Sequence, residues 1–334
     1  MNFKNTILLT GAGFTVNFGG FLGREMWSKI FNYPKLNQAG KIKLDLHDNY
    51  NSFDFEKIYS DVLDNTSKYP DGEKLIYKEA VVEAYKDMND YITRPDADKT
   101  ISANQANVLE FLEPFLKRDG DKIGGFFTLN QDMFPEVKYN WVPFGPEVSD
   151  VIRPNIIATL PDQNTIDEFE GSISKDINFC YAKLHGAVNW MDAGGSEAMI
   201  VGINKPELID KQPLLKWYFH LFHDAINKVE TNLLVIGYSF RDKHINERLY
   251  QAVVDHKLSL YVISPEDPIE FKKKLTLKGY GEPEFFNAYV YDSDNEGIEI
   301  WRAVKAYFPY KLSDIFPLSG KRTAALDEIL KVLA

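Results

Sequence analysis

Near the start of the chain, a short apolar run stops abruptly at two glycines. The run Ile-Leu-Leu-Thr at positions 7–10 leads directly into Gly11, Ala12 and Gly13. A buried strand that ends in a tight glycine turn is typical of the first βα unit of a nucleotide-binding α/β domain. Such a turn lets the backbone approach a pyrophosphate, whose charge is favoured by the amides and the dipole of a helix start. A tight turn that binds nothing is the other interpretation, because Val16 stands where the third glycine of the full dinucleotide fingerprint would be.

Further strand-like segments follow and alternate with helix-compatible sequence. This alternation predicts an α/β fold with a Rossmann-like, doubly wound parallel sheet. Residues 214–229 are predicted to form a packing helix, and Pro213 suits its first turn. The remaining predicted strands are 124–128, 178–184, 232–236, 259–263 and 287–291.

Residues 34–117 have a different character, with charged, helix-forming stretches. Residues 73–91 carry apolar side chains at helical spacing, from Leu75 to Met88. We therefore divide the chain into a Rossmann-like domain (1–33 and 118–310), a mostly helical insertion (34–117) and a C-terminal helical tail (311–334).

Charge and composition exclude several classes of protein. The formal net charge of −11 and the lack of a Lys/Arg-rich run argue against direct nucleic-acid binding. No stretch approaches about 18 apolar residues and no signal-peptide pattern is present, so we expect a cytoplasmic protein that does not enter a membrane. Cys180 is the only cysteine, which excludes an internal disulfide and a multi-cysteine zinc cluster.

Polar side chains follow two of the predicted strands. Asn130 and Asp132 come after the strand that ends at Thr128, and His185 follows the strand 178–184. Parallel strands present their carboxyl ends to the ligand crevice. An amide can hold a water or a hydroxyl group there, and a neutral imidazole can accept a proton near pH 7. The structural alternatives are a turn or capping role for Asn130 and a hydrogen-bonded core position for His185.

Other histidines have simpler explanations. His220 and His223 have an i, i+3 spacing that can grip a metal ion, but no third candidate ligand lies near them in the sequence. We therefore predict no metal site. Asp242 has two equal interpretations: it belongs to the site, or it is the N-cap of a following helix with His244 and Asn246 in its first turn.

Several separated segments, taken in order, resemble motifs of the sirtuin (Sir2) family. They are Gly11-Ala12-Gly13-Phe14-Thr15, Thr128-Leu129-Asn130-Gln131-Asp132, Lys183-Leu184-His185-Gly186 and Gly237-Tyr238-Ser239. The segment 237–246 looks particularly like the divergent bacterial SIR2-like proteins of antiphage defence systems. The likeness covers these segments and the strands that hold them, and leaves the insertion and the C-terminal end unmatched.

The resemblance implies that NAD+ is the substrate. It implies that Asn130 and Asp132 sit near the nicotinamide ribose and that His185 acts as a base toward the ribose hydroxyls. Ser264 stands where the family has an asparagine in the segment for the adenosine ribose. The implied contacts to the rest of the dinucleotide are Gly11, Ala12, Gly13, Thr15, Gly237, Ser239, Ser264 and Glu266.

Two departures from the family pattern narrow the expected reaction. Sirtuin deacylases carry a zinc module with two cysteine pairs, which a chain with one cysteine cannot build. The family's Pro-Asp-Phe-Arg run is replaced by Phe-Gly-Gly-Phe-Leu-Gly-Arg at 18–24. Both changes argue against an acyl-lysine groove. Water is then the simplest nucleophile, and hydrolysis of NAD+ to ADP-ribose and nicotinamide is the expected activity.

The resemblance also implies a biological setting, which is depletion of NAD+ during phage infection. Because an unrestrained NAD+ hydrolase harms its own cell, we expect control by homo-oligomerisation, by a regulatory protein such as an ATPase or an Argonaute-like protein, or by both. The insertion and residues 308–334 are the candidate contact surfaces. Two alternatives remain: a sensor that binds NAD+ or ADP-ribose without cleaving it, and a sirtuin-type deacylase or ADP-ribosyltransferase.

Overall fold

The computed structural model describes residues 5–50, 53–64, 67–94, 99–116, 125–146, 153, 156–172, 181–277 and 296–333. A six-stranded, all-parallel sheet organises these residues. Its strands are β1 (Thr6–Thr10), β2 (Phe126–Thr128), β4 (Tyr181–Lys183), β6 (Asn232–Ile236), β7 (Ser259–Ile263) and β8 (Val304–Phe308). The short strands β3 (Ala158–Thr159) and β5 (Trp190–Met191) pair with each other in a separate sheet.

The strand order of the main sheet is β4-β2-β1-β6-β7-β8. The sheet therefore grows in one direction from β1 and in the other from β6, and the order reverses between these two strands. At this reversal the last residues of the strands, Thr10 and Ile236, lie side by side. Doubly wound sheets bind their ligands in the crevice outside such a reversal. The predicted Rossmann-like parallel sheet is confirmed.

The two faces of the sheet carry separate apolar cores, because successive strand residues point to opposite sides. Leu8 and Leu234 belong to the first core, whereas Ile7, Leu9 and Val235 belong to the second. Each of these side chains is at most 1% exposed. Both faces are therefore covered, as a doubly wound fold requires.

Helices form the two covering layers. Those on the first core are α1 (Gly23–Phe31), α2 (Gly40–Asp48), α3 (Phe55–Asp64), α4 (Asp71–Thr93), α5 (Lys99–Leu116), α6 (Phe134–Tyr139), α13 (Leu312–Ile315) and α14 (Ala324–Leu333). Those on the second core are α7 (Gln163–Ser172), α8 (Lys205–Asp210), α9 (Pro213–Ile226), α10 (Lys243–His256), α11 (Pro268–Thr276) and α12 (Glu296–Ala303). Pro213 begins α9, as its position in the sequence predicted. None of the described helices is both long and apolar enough to span a membrane.

The insertion is helical where it is described, but it is not packed apart from the sheet. Tyr85 of α4 and Leu8 of β1 belong to the same core. Within α4, Tyr77 is fully buried, whereas Leu75, which was predicted to lie on the apolar stripe, is 67% exposed. Leu75 lies about 200° around the helix from Tyr77, so the two side chains cannot share a face. The insertion therefore supplies one layer of the Rossmann-like sandwich.

The C-terminal tail packs on this same core. Phe316 lies edge-on against Phe111 of α5, with ring centroids 5.5 Å apart. Leu326 and Ile329 of α14 are at most 2% exposed. The apolar face of the tail is therefore already covered within the chain, and a contact with another protein would have to use its other side chains.

The predicted strands agree with the structure where their sequence is continuously apolar. Strands β6 and β7 have the predicted bounds. Strand β8 was not predicted, and its side chains are mostly half-buried rather than continuously apolar. The predicted strand 287–291 and Cys180 lie outside the described residues.

Candidate functional site

A cavity of about 980 Å³ opens at the carboxyl ends of the parallel strands, where the strand order reverses. The loops that follow β1, β2, β4, β6 and β7 contribute to its wall. Segments that are far apart in the sequence therefore converge on one crevice. Every residue that the sequence assigned to the site lines this cavity: Gly11, Ala12, Gly13, Thr15, Asn130, Asp132, His185, Gly237, Ser239, Ser264 and Glu266.

The glycine turn after β1 is held against the loop after β6. The Gly13 N–H donates to the Gly237 carbonyl over 2.9 Å, and the Gly11 N–H donates to the Ile236 carbonyl over 3.0 Å. A Cβ atom on Gly237, whose φ is +64°, would lie 2.4 Å from the Phe14 nitrogen. Close loop packing thus requires a glycine at Gly237. The Gly11 and Gly13 amides already have acceptors within the chain, so these two N–H groups are engaged. The contact of the turn with a pyrophosphate stays a prediction.

The helix expected directly after the glycine turn is also absent. The residues Ala12–Phe14 and Val16–Phe18 form two short 3₁₀ turns, and α1 begins only at Gly23. The first residues of α1, including Arg24, do line the cavity. The helix-dipole contribution of the helix that follows β1 therefore comes from α1, after an intervening loop.

Asn130, Asp132 and Thr15 form a buried hydrogen-bonded group at the ends of β1 and β2. The Asn130 amide donates to the Thr15 hydroxyl over 3.3 Å, and this hydroxyl donates to the Asp132 carboxylate over 2.9 Å. The Phe134 N–H also donates to Asp132, over 3.0 Å. Asn130 is therefore not a helix cap. Burial raises the pKa of the Asp132 carboxyl, against the opposing charge of Lys183.

Lys183 is a buried residue that contacts the backbone of Asp132. Its ammonium lies 3.2 Å from the Glu136 carboxylate, and both side chains are fully buried. The same ammonium donates to the Asp132 backbone carbonyl. Burial raises the pKa of Glu136, and the Lys183 charge opposes that change. This pair fixes the backbone on which Asp132 sits.

His185 lies at the end of β4 and is 1% exposed. Its Nε2 atom is 3.1 Å from the Nε2 atom of His244. The backbone of Leu129 favours the protonated form of the ring. Burial lowers the pKa of the His185 imidazole well below its usual value, and the Lys205 charge lowers it further. The imidazole is therefore neutral near pH 7, as a proton acceptor must be.

His244 and Asp242 come from the start of α10. Asp242 occupies the N-cap position, as predicted, but its side chain makes no capping hydrogen bond. Its carboxylate instead pairs with the Lys205 ammonium. His244, in the first turn, is 9% exposed, and burial lowers the pKa of its imidazole to about 4. Both side chains line the cavity, and both residues belong to the start of α10.

Lys205 connects the Rossmann-like part of the chain with the insertion. Its ammonium lies 2.9 Å from the Glu56 carboxylate of α3 and also contacts Asp242. Burial by itself would lower the pKa of Lys205, but the Asp242 and Glu56 charges raise it above the ordinary value. Burial raises the pKa of Glu56, against the effect of Lys205. All three side chains line the cavity.

His185, Asp242 and His244 are also the described residues whose geometry comes nearest to a metal site. Each offers one ligand atom, and these atoms lie within 4.8 Å of one another. However, Asp242 already has the Lys205 ammonium as its counter-charge, and the two imidazoles bond to each other. The Asp242 carboxylate and the two Nε2 atoms thus have partners within the protein. Elsewhere, His223 hydrogen-bonds Asn227.

The far side of the cavity carries the residues implied for the adenosine ribose. The Glu266 N–H donates to the Ser264 hydroxyl over 3.4 Å. The Glu266 carboxylate forms an ion pair with Lys274. Ser239, in the loop after β6, is exposed to the cavity. The Ser264 and Ser239 hydroxyls are thus the better placed of these groups to meet a ligand.

Sequence reasoning did not assign the charged cluster of Glu56, Lys205, Asp242 and His244 to the site. The Asp-x-His pattern beside the Gly-Tyr-Ser segment was a signal for His244, but it was interpreted as a helix start. Glu56 and Lys205 carry no local signal, because each lies at the beginning of an ordinary amphipathic helix. Only the tertiary fold brings them to Asp242.

No protein-family model matches the chain, and a search of curated proteins finds no similar sequence. The functional assignment therefore depends on the chemistry of the residues in the cavity.

Proposed function

We propose that this protein is an NAD+ hydrolase that cleaves the bond between nicotinamide and ribose. The observation that carries the proposal is the convergence of the separated sirtuin-like segments on one cavity at the strand-order reversal. A volume of about 980 Å³ lies at the upper end of the range of about 300–1,000 Å³ for ligand sites, which suits an extended dinucleotide.

The residue types in the cavity fit the demands of this cleavage. Loss of neutral nicotinamide leaves an oxocarbenium-like ribose, so the site must stabilise positive charge and hold the attacking oxygen. Asp132 supplies a buried carboxyl group, and Asn130 supplies an amide beside it. A neutral imidazole at His185 provides a proton acceptor in the cavity. Water is the acceptor because the single cysteine excludes the zinc module of the deacylases.

The second candidate is a sensor that binds NAD+ or ADP-ribose without turnover. One observation favours it: His185 is only 1% exposed and its Nε2 atom already faces His244. A base in that state cannot reach a substrate hydroxyl unless His244 takes part. Tight binding in calorimetry with no nicotinamide release would identify the sensor.

The biological part of the proposal comes from the sirtuin resemblance. It comprises NAD+ depletion in bacterial antiphage defence, a cytoplasmic location, and control by homo-oligomerisation or by a protein such as an ATPase or an Argonaute-like protein. The net charge of −11 favours control through a protein surface over direct contact with nucleic acid.

The test is nicotinamide release by the purified full chain, alone and with candidate activating proteins. We expect Asn130→Ala and His185→Ala each to lower the rate by at least about 100-fold, because each removes a group needed in the transition state. His220→Ala is the matched control, since His220 is an exposed histidine of α9 outside the cavity. Release by both site variants at the wild-type rate would show the assignment to be wrong.

A further inference from the structure

We propose that His244 is the residue that takes the proton from the attacking water, and that it passes its own proton to His185 in a two-imidazole relay. This inference rests on the proposed hydrolysis of NAD+ and assigns the general base within it. It makes His244, the less buried histidine, the residue that contacts the attacking water, and it makes His185, the more deeply buried one, the final proton acceptor.

The two imidazole rings lie at different depths in the cavity. Both line the cavity, but His185 is 1% exposed and His244 is 9% exposed. The His244 ring packs beside Phe219, with centroids 5.3 Å apart. His244 is therefore the outer member of the pair and His185 the inner one.

The relay assigns each proton to one nitrogen. The Leu129 backbone favours the protonated form of His185, so we place the single N–H of the neutral ring toward Leu129, which leaves the Nε2 lone pair facing His244. In this arrangement His244 Nε2 is the donor across the 3.1 Å contact. The remaining nitrogen of His244, Nδ1, then carries a lone pair.

This arrangement leaves the Nδ1 atom of His244 as the acceptor for an incoming proton. Within the described residues, the His244 ring has no hydrogen bond other than that to His185. The lone pair of His185, by contrast, is engaged. A water molecule in the cavity therefore meets the basic nitrogen of His244 first.

The relay gives a balanced reaction. The C1′–N bond of NAD+ breaks, and its electron pair leaves with neutral nicotinamide. The water oxygen forms the new bond to C1′, and its proton goes to His244 Nδ1 while the His244 Nε2 proton moves to His185 Nε2. His185 then holds the positive charge until the proton is released to solvent. The products are ADP-ribose, nicotinamide and one proton.

The charged groups around the two histidines allow a short-lived imidazolium ion to form. Asp242, on the same helix as His244, favours the protonated form of both imidazoles, whereas Lys205 from α8 opposes it. Glu56 of α3 partly offsets Lys205 through their ion pair. The opposing effects of Asp242 and Lys205 thus allow His185 to take up the proton and then to release it.

The test compares His244→Ala and His244→Gln with wild type. Glutamine can still donate to His185 but cannot pass a proton on. We expect both variants to lower kcat by at least about 100-fold while the Kd for NAD+, from calorimetry, changes less than about threefold. Free imidazole should restore part of the activity of His244→Ala and none of that of His244→Gln. His220→Ala serves again as the control.

A second readout separates proton transfer from a merely structural role. The rate is measured in mixtures of H₂O and D₂O: two protons moving in one transition state give a bowed dependence on the deuterium fraction. A linear dependence of the wild-type rate on the deuterium fraction would overturn the relay but not the proposed hydrolysis. A kcat for His244→Gln within about threefold of the wild-type value would have the same meaning. Wild-type protein that binds NAD+ yet never releases nicotinamide would overturn both proposals together.

Discussion

The Thr15 hydroxyl donates a hydrogen bond to the Asp132 carboxylate over 2.9 Å, although the two residues are 117 positions apart in the chain. The same hydroxyl accepts a hydrogen bond from the Asn130 amide, over 3.3 Å. Because the hydroxyl has a single proton, its donation to Asp132 leaves only its lone pairs for Asn130. Thr15 therefore fixes the orientation of both polar side chains at the floor of the cavity.

Replacing Thr15 with valine keeps the shape of this side chain and removes both hydrogen bonds. A hydrogen bond to a charged group contributes about 1.5–3 kcal/mol, so we expect nicotinamide release to fall about 10- to 100-fold. The exposed Thr165, which bonds Asp162, provides the control variant Thr165→Val. An unchanged rate for Thr15→Val would show that Asn130 and Asp132 do not need this orientation.

Gly237→Ala tests the close contact between the loops after β1 and β6. The new Cβ would lie 2.4 Å from the Phe14 nitrogen and 2.5 Å from the Gly13 carbonyl carbon. Strain at positive φ alone costs on the order of 1–3 kcal/mol, and the clash adds to it. We expect a lower free energy of unfolding and weaker binding of NAD+.

The control for this change is Gly195→Ala. Gly195 also has a positive φ, of +82°, but a Cβ atom there would have nothing within 4 Å. The difference between the two variants in chemical denaturation therefore isolates the contact. Equal loss of stability would mean that the loops do not need to approach each other this closely.

Local sequence was sufficient for five of the six strands of the sheet and for the placement of polar residues at the strand ends. Strands β6 and β7 were predicted with their bounds because a continuous apolar run has few other uses in a parallel α/β fold. Asn130 and His185 were found because polar residues at the ends of such strands face the ligand crevice. In these cases the neighbours in sequence determine the environment.

The rest of the site depends on contacts that local sequence does not encode. Lys205, Glu56 and Asp242 come from three different helices and meet only when the layers pack. Similarly, the bond between His185 and His244 joins a strand end to a helix start. The acceptors of the Gly11 and Gly13 amides, which are the carbonyls of Ile236 and Gly237, were also not visible in the sequence.

The Lys205 ion pairs make a measurable link between the insertion and the Rossmann-like part. Lys205→Met would leave the partly buried Asp242 and Glu56 carboxylates without their counter-charge, so we expect a loss of up to about 3–5 kcal/mol in the free energy of unfolding. Adding Glu56→Gln should recover part of that loss, with a coupling of about 0.5–3 kcal/mol in a double-mutant cycle.

The exposed pair between Lys29 and Asp87 supplies the control, because its side chains are 43% and 55% exposed. Lys29→Met should cost at most about 1 kcal/mol. Additive effects of the Lys205 and Glu56 changes would contradict a structural link through this pair.

Charge near the histidines should set the acid limit of activity. The relay requires neutral imidazoles, so activity is lost as the pH falls through their pKa values in the folded protein. Burial, together with Lys205, lowers the pKa of His185 well below its usual value, and burial lowers that of His244 to about 4. We therefore expect kcat to stay constant as the pH falls through the ordinary histidine range near 6.5 and to decline only at lower pH.

Lys205→Gln should raise the pH at which activity is lost on acidification. Glutamine can still donate to Asp242, but the positive charge that lowers the pKa of both imidazoles is gone, while the Asp242 carboxylate that raises them remains. The pKa values should rise, so the acid limb of kcat should move upward toward pH 6.5. Circular dichroism at each pH confirms that the variant stays folded. An acid limb that stays in place, or moves to lower pH, would rule out proton uptake by these two histidines.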